Sequence, residues 1–283
     1  MRLAIASGKG GTGKTTLAVN LALKASGTMK TVLADLDVEE PNGSIFIGGE
    51  TVDEKQVYRY TPAWNQKSCS LCGKCTSWCA YNALIKLGEI ILVMPNLCHS
   101  CYACSELCPD GALPMEASPL GTIRHFSRGK LDFTESKLNI GLEQAAPLIK
   151  QSLNYLDENF KDHDLQILDS PPGTACSMME AVRSADYVIL VTEPTPFGLH
   201  DLKLAVETVR QLELPFAVVI NRDGIGNDEL DRYLKAEEIA VWARIPHQRE
   251  IAELYSRGEI LFDKVAAVDD ALSDILQRLE GLS

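Results

Sequence analysis

A chain of 283 residues, 46% hydrophobic and 23% charged, has the composition of an ordinary globular protein with enough apolar side chains for a real core. Its 27 basic and 39 acidic residues leave a net charge of −12, which argues against a nucleic-acid or anionic-lipid surface, because attraction to phosphate needs a basic footprint. No apolar run reaches the roughly 18 to 20 residues of a membrane span, and the opening residues run into glycines too soon for a signal-peptide core. The expectation is a cytoplasmic protein whose nine cysteines act as metal ligands rather than as disulfides.

In chain order, residues 2–7 form an apolar run suited to a buried parallel strand. It enters Gly8-Lys9-Gly10-Gly11-Thr12-Gly13-Lys14-Thr15-Thr16, which satisfies G-x4-G-K-S/T, ahead of a helix over 17–24. Glycines here let backbone N–H groups turn around phosphates, and the helix offers its positive end. Lys14 is expected to reach the β- and γ-phosphates, and the Thr15 hydroxyl to hold Mg²⁺. A second strand, 31–36, leads into Asp35-Leu36-Asp37. A third, 165–168, delivers Asp169 to the strand end where a metal-coordinating carboxylate belongs, followed by Ser170-Pro171-Pro172-Gly173-Thr174. Strands over 187–192 and 215–220 flank a helix near 199–212, and the second ends in Asn221-Arg222. Residues 240–246 and a helix over 249–257 follow. The final amphipathic stretch, 268–282, carries Asp269, Asp270, Asp274 and Glu280 where a membrane-surface helix would carry Lys and Arg. No membrane partner is expected.

Eight cysteines fall in one window as two copies of one spacing. These are Cys69-x2-Cys72-x2-Cys75-x3-Cys79 and Cys98-x2-Cys101-x2-Cys104-x3-Cys108, the latter followed by Pro109 and the former by Ala80. Paired C-x2-C units also make zinc sites, but those need a gap between two pairs, not a third cysteine three residues on. In the bacterial two-cluster run the fourth cysteine of each copy ligates the other cluster. That assigns Cys69, Cys72, Cys75 and Cys108 to one 4Fe–4S cluster, and Cys79, Cys98, Cys101 and Cys104 to the second. His99 is expected to hydrogen-bond near the second set rather than to ligate. Cys176 stands alone and reads as a small buried thiol.

Lys9 inside the phosphate loop gives the form K-G-G-x-G-K-T, which resembles the deviant Walker A motif of the MinD/ParA-like P-loop ATPases, which also include the nitrogenase iron protein and the Mrp-type cluster carriers. The resemblance implies an α/β fold, a mostly parallel P-loop NTPase sheet, and an ATP-sandwich homodimer, or a heterodimer with a similar chain. It implies catalytic roles for Lys9, Lys14 and Asp37: Lys9 reaching the partner's nucleotide, Lys14 on the phosphates, Asp37 orienting the attacking water. Asp35 and Asp37 would support Mg²⁺ with Thr15 and Asp169, the Gly173 amide would sense the γ-phosphate, and Asn221 and Arg222 would frame the adenine. The overall order, with Cys79-Ala80-Tyr81-Asn82-Ala83, Leu97-Cys98-His99 and the run from Gly129-Lys130-Leu131 to Asn139-Ile140-Gly141, resembles MinD-superfamily ATPases with an inserted ferredoxin domain. The implied domains are a discontinuous ATPase over 1–57 and 117–283 and a small α+β bacterial-type ferredoxin insert over 58–116. Linkers are expected at Tyr60-Thr61-Pro62 and Ala117-Ser118-Pro119-Leu120-Gly121. The implied cofactors are ATP or ADP, Mg²⁺ and two 4Fe–4S clusters. Three activities fit: ATP-gated electron transfer to a redox partner protein, assistance to metal–sulfur cluster assembly on a partner, and a redox-responsive nucleotide switch.

Overall fold

Short apolar runs with no polar face need cover on both sides, and they become the middle strands of one large sheet. The structure, a computed structural model, describes residues 1–282. Its first half runs β1 (Arg2–Ala6), α1 (Lys14–Ala25), β2 (Thr31–Asp35), α2 (Ser44–Ile47), β3 (Glu50–Pro62), α3 (Lys74–Trp78), β4 (Leu84–Leu87), β5 (Ile90–Val93) and α4 (Ala103–Glu106). Then follow β6 (Met115–Arg128), β7 (Leu131–Leu138), α5 (Ala145–Asn159), β8 (Leu165–Asp169), α6 (Cys176–Val182) and β9 (Tyr187–Thr192). The chain closes with α7 (Pro196–Gln211), β10 (Phe216–Asp223), α8 (Glu229–Ala236), β11 (Val241–Pro246), α9 (Arg249–Ser256) and α10 (Ala266–Glu280).

Nine strands form one sheet in the order β11-β10-β9-β1-β8-β2-β7-β6-β3. From β11 to β7 every neighbouring pair is parallel; β6 and β3 then join antiparallel. In β1, Ala4 and Ala6 meet the layer holding Leu148, Leu156, Met178 and Val206, while Leu3 and Ile5 meet the layer holding Leu17, Leu21, Trp242 and Leu272. The period-two alternation thus feeds two separate apolar layers. All strands of the parallel block point their carboxyl ends one way, which gathers the P-loop, Asp35, Asp169, Glu193 and Asn221 along one edge.

The segments expected as linkers are paired strand. Tyr60 faces Ala117, Thr61 faces Glu116 and Pro62 faces Met115, so β3 and β6 form a long two-stranded ribbon. Pro119 is tolerated because the register shifts there: Val57 faces Gly121 and Tyr58 faces Pro119, leaving Leu120 as the extra residue of a bulge. The Leu120 side chain is fully buried. Gly121 is needed where β6 passes close to β7, since a Cβ there would lie 2.4 Å from the Lys137 carbonyl oxygen. Past the ribbon, residues 63–114 carry the eight clustered cysteines, the β4–β5 hairpin, and a small apolar cluster of Cys75, Leu84, Ile91 and Leu113 with Trp64 packed against it. Among the described residues no helix is long and apolar enough to cross a membrane.

Candidate nucleotide and thiol sites

The loop between β1 and α1 is pressed against its neighbours so closely that only glycine fits at two positions. A Cβ on Gly8 would lie 2.0 Å from the Asp201 carbonyl oxygen of α7, and one on Gly13 would lie 2.3 Å from Asn221 Nδ2. Gly11 and Gly13 also hold positive φ, +74° and +96°. Asn221 Nδ2 donates to the Thr12 carbonyl at 2.8 Å, which braces the loop from β10. Beside it, Gly13, Thr16, Asn221, Pro246, His247 and Ile251 line a cavity open to the loop. Arg222 lines the same cavity.

Lys14 is buried, which pushes its pKa down, while Asp169, Asp37 and Asp35 oppose that shift. Burial pushes Asp35 up to about 7, even though its carboxylate accepts N–H bonds from Gly43 and Asn42 at 2.9 Å and from Asp37 at 3.1 Å. Asp169 is fully buried and raised well above the usual carboxylate range by that burial and by Asp35, with the Thr15 hydroxyl and Lys14 working the other way. Burial also raises Asp37, opposed by Lys14. Three carboxyl groups thus share one ammonium, and among the described residues Asp169 Oδ1 has no hydrogen-bond partner. Crowded carboxyl groups that hold their protons for want of a cation, an orphaned oxygen and an adjacent hydroxyl suit a divalent cation with oxygen ligands. The Gly173 N–H, in a residue of φ +93°, donates to the Ser7 carbonyl at 3.1 Å.

Lys9 does not project freely. Its Nζ lies 2.5 Å from Glu193 Oε1, and Arg222 Nη1 lies 2.9 Å from Glu193 Oε2. Burial works against the Glu193 charge, yet Lys9 and Arg222 hold its carboxyl below the usual range. Sequence reasoning missed Glu193 and Asp201. Glu193 follows directly on the strand of 187–192 and precedes Pro194-Thr195-Pro196, a strand-to-helix junction on the same sheet edge as the P-loop, and that placement was its signal.

The cysteines separate into two sets. Cys69, Cys72, Cys75 and Cys108 surround one cavity; Cys79, Cys98, Cys101 and Cys104 surround another. The two copies repeat their backbone as well as their spacing. Leu71 and Gly73 in one, Ser100 and Tyr102 in the other, all hold positive φ, and so do Asn82 and Gly111, each three residues after a fourth cysteine. These turns aim N–H groups at sulfur: Leu71 to Cys69 at 3.4 Å, Ala83 to Cys79 at 3.2 Å, Ala112 to Cys108 at 3.4 Å. Burial raises the Cys75 thiol, and Cys69, Cys72 and Cys108 add to it; burial pushes Cys104 up to about 11, reinforced by Cys98, Cys101 and Cys79. Four thiolates so placed repel one another unless a cationic core sits among them. The donor set fits an iron–sulfur cluster, with amides directed at the sulfurs. Among the described residues no three side chains converge on a single ion position.

Two expectations need correction. Cys176 is exposed, not buried, because it opens α6 directly after the Pro171–Ala175 turn instead of lying on a packed helix face. Among the described residues His99 has no hydrogen-bond partner; it stacks on Tyr81, ring centroids 3.7 Å apart and planes 12° from parallel.

Comparison with known proteins is consistent with this geometry. An uncharacterised protein of Methanocaldococcus jannaschii is 30% identical over 275 residues, 92% of this chain and 90% of its own length. A Pyrococcus horikoshii protein named iron–sulfur cluster carrier protein is 27% identical over 223 residues, 77% of this chain and 60% of the relative. The septum site-determining protein MinD of Pyrococcus horikoshii, solved with Mg-ADP, superposes with a TM-score of 0.60 at 17% identity, covering 99% of this chain and 96% of that one. The model of the CobQ/CobB/MinD/ParA nucleotide binding domain matches residues 3–262. With its phosphate loop, buried carboxylates and parallel sheet in that frame, the chain belongs to the CobQ/CobB/MinD/ParA nucleotide-binding family.

Proposed function

We propose that this protein binds and hydrolyses ATP in a dimer cycle and couples that cycle to electron transfer through two 4Fe–4S clusters to a partner protein. The observation that carries the reading is the pair of four-thiol rings borne on a ribbon of the very sheet that holds the phosphate loop. In this reading residues 1–57 and 117–283 are the ATPase and 58–116 the ferredoxin-like insert.

The loop amides of Gly8 to Thr16 and the Lys14 ammonium hold the phosphates, and Asn221 and Arg222 frame the base. Thr15 and Asp169 would hold Mg²⁺, with Asp35 and Asp37 beside them; the orphaned Oδ1 of Asp169 supports this. Mg²⁺ bound there would supply the positive charge that neutralises the phosphate oxygens. Asp37, beside Lys14, orients the attacking water. Asp35 has a second duty, since its three N–H bonds fix the loop from Asp37 to Gly43. The Gly173 N–H exchanges the Ser7 carbonyl for the γ-phosphate, and Lys9 exchanges Glu193 for the nucleotide of a partner copy. Cys69, Cys72, Cys75 and Cys108 hold one cluster; Cys79, Cys98, Cys101 and Cys104 hold the other. The clusters supply one-electron chemistry, tuned by the N–H groups aimed at their sulfurs.

A second reading, assistance to cluster assembly, is favoured by the relatives named iron–sulfur cluster carrier proteins. Mrp-type carriers, however, hold a labile cluster on a C-P-x-C pair, and the 283 residues contain none. One experiment separates the two. ATP turnover is measured with the clusters oxidised and reduced, alongside iron release to an apo-acceptor. Electron coupling predicts a turnover rate that depends on cluster oxidation state, with iron retained. A rate indifferent to oxidation state, with iron leaving on addition of MgATP, overturns it in favour of assembly.

A further inference from the structure

Arg59, on β3, is a buried cation with no buried anion. Only 5% of it is exposed, and among the described residues its side chain meets neutral oxygens alone. Nη1 donates to Gln144 Oε1 at 3.0 Å, Nη2 lies 3.5 Å from Asn96 Oδ1, and Nε has no partner. Unpaired buried charge is costly enough that it ordinarily faces a counter-charge. The bonds around Arg59 lead to the second thiol ring. Asn96 stands two residues before Cys98, and Ser100, between Cys98 and Cys101, donates its hydroxyl to the carbonyl of Tyr60 at 2.6 Å. Thiolate-ligated clusters carry net negative charge, and more of it when reduced.

Gln144 completes a joint. While its Oε1 accepts from Arg59, its Nε2 donates to the Asn96 carbonyl at 2.9 Å. Gln144 caps the amino end of α5, and the loop leading to it begins at the nucleotide site. The Leu138 N–H donates to the carbonyl of Val38, the residue after Asp37, at 2.8 Å; Asn139 N–H donates to Leu120 at 3.0 Å. The first ring has no such buried cation, for Lys74 and Lys86 beside it are both exposed.

We propose that Arg59 is a positioning residue for the second cluster: its buried charge favours that cluster's reduced state, and its bonds to Gln144 and Asn96 pass movement of the Asp37 segment to the Cys98 loop. This rests on the reading that Cys79, Cys98, Cys101 and Cys104 hold a cluster. It does not depend on what the electrons finally reach.

The test is an EPR-monitored redox titration of reconstituted full-length protein, with dithionite as reductant, with and without Mg²⁺ and a nonhydrolysable ATP analogue. Wild type, Arg59→Met, Arg59→Lys and Gln144→Ala are compared, with iron content checked in each. Arg59→Met should lower the potential of the second cluster by at least a tenfold change in its reduction equilibrium, about 59 mV for one electron, and leave the first unmoved. Arg59→Lys should restore the potential, because it keeps the charge. Gln144→Ala should keep the potential but lose the nucleotide-dependent shift. A potential for the second cluster that is the same in wild type and Arg59→Met overturns the inference, while a nucleotide shift in wild type would still uphold the coupled function. The converse, a lowered potential in Arg59→Met with no nucleotide response in wild type, upholds the charge role and overturns the transmission.

Discussion

Asp35 ends a strand with its carboxylate out of water, so its proton is held more tightly in the folded chain than in the unfolded one. Its pKa stands near 7 against an ordinary 3.8, and burial is the main cause. Because the folded value is the raised one, the stabilisation is complete below about pH 4 and is lost as pH rises through about 7. Asp169 is shifted the same way. Asp35→Asn should therefore gain melting temperature relative to wild type as pH rises from about 5 to about 7.5 in nucleotide-free protein, at about 2–4 °C per kcal/mol for a chain of this size, on top of a constant loss because its NH₂ must face a backbone N–H. The same variant should bind Mg-nucleotide more weakly. A gain that stays constant across that pH range would show that Asp35 is not the group titrating.

Lys14→Ala removes the cation that those carboxylates share. Loss of charge-assisted contacts worth about 1.5–3 kcal/mol should weaken MgATP binding by roughly 10- to 150-fold, read by calorimetry. Iron content should be unchanged. Equal loss of nucleotide and iron would mean that the two regions fold as one unit. At this scale the P-loop was legible, because its spacing is its chemistry, and the cysteine spacing groups the same fours that line the two cavities. Glu193 was not: its place after a strand puts it on the P-loop edge, but nothing local shows that it pairs with a lysine 184 residues away.

Among the elements, the central strands declared themselves: 187–192 was expected and β9 spans Tyr187–Thr192. The ribbon did not. Over β3 the residues from Glu50 to Gln56 are all exposed, and only Val57, Arg59 and Pro62 of the strand are buried, so its first seven residues show no alternation that would signal a strand. Glu50, Asp53, Glu54 and Lys55 are instead the charged dressing of an edge strand. Pro119 reads as a linker until the bulge that accommodates it is seen. Helix α5 was also unread, although Leu148, Ile149, Leu153 and Leu156 keep helical spacing, because Pro147 lies within its first turn. Leu120→Ala should cost about 2–5 kcal/mol in chemical denaturation, since the bulge delivers that side chain into the core. A cost under about 0.5 kcal/mol, usual for surface positions, would contradict the burial of the bulge.

For the molecule as a whole, the ligand sets make a separable prediction. Cys101→Ala should damage the second cluster alone, lowering bound iron by about half with MgATP affinity retained. Undiminished iron would refute the assignment of Cys79, Cys98, Cys101 and Cys104 to one ring. The ribbon that carries both rings is hydrogen-bonded to β7, and β7 to β2, which ends at Asp35, so nucleotide site and thiol rings share one sheet. The most direct test of coupling between them is the midpoint potential of each cluster in the wild-type protein, titrated anaerobically with and without Mg²⁺ and a nonhydrolysable ATP analogue. Coupling predicts a nucleotide-dependent shift, with about 59 mV for one electron corresponding to roughly 1.4 kcal/mol of linkage. Superimposable titrations would contradict it.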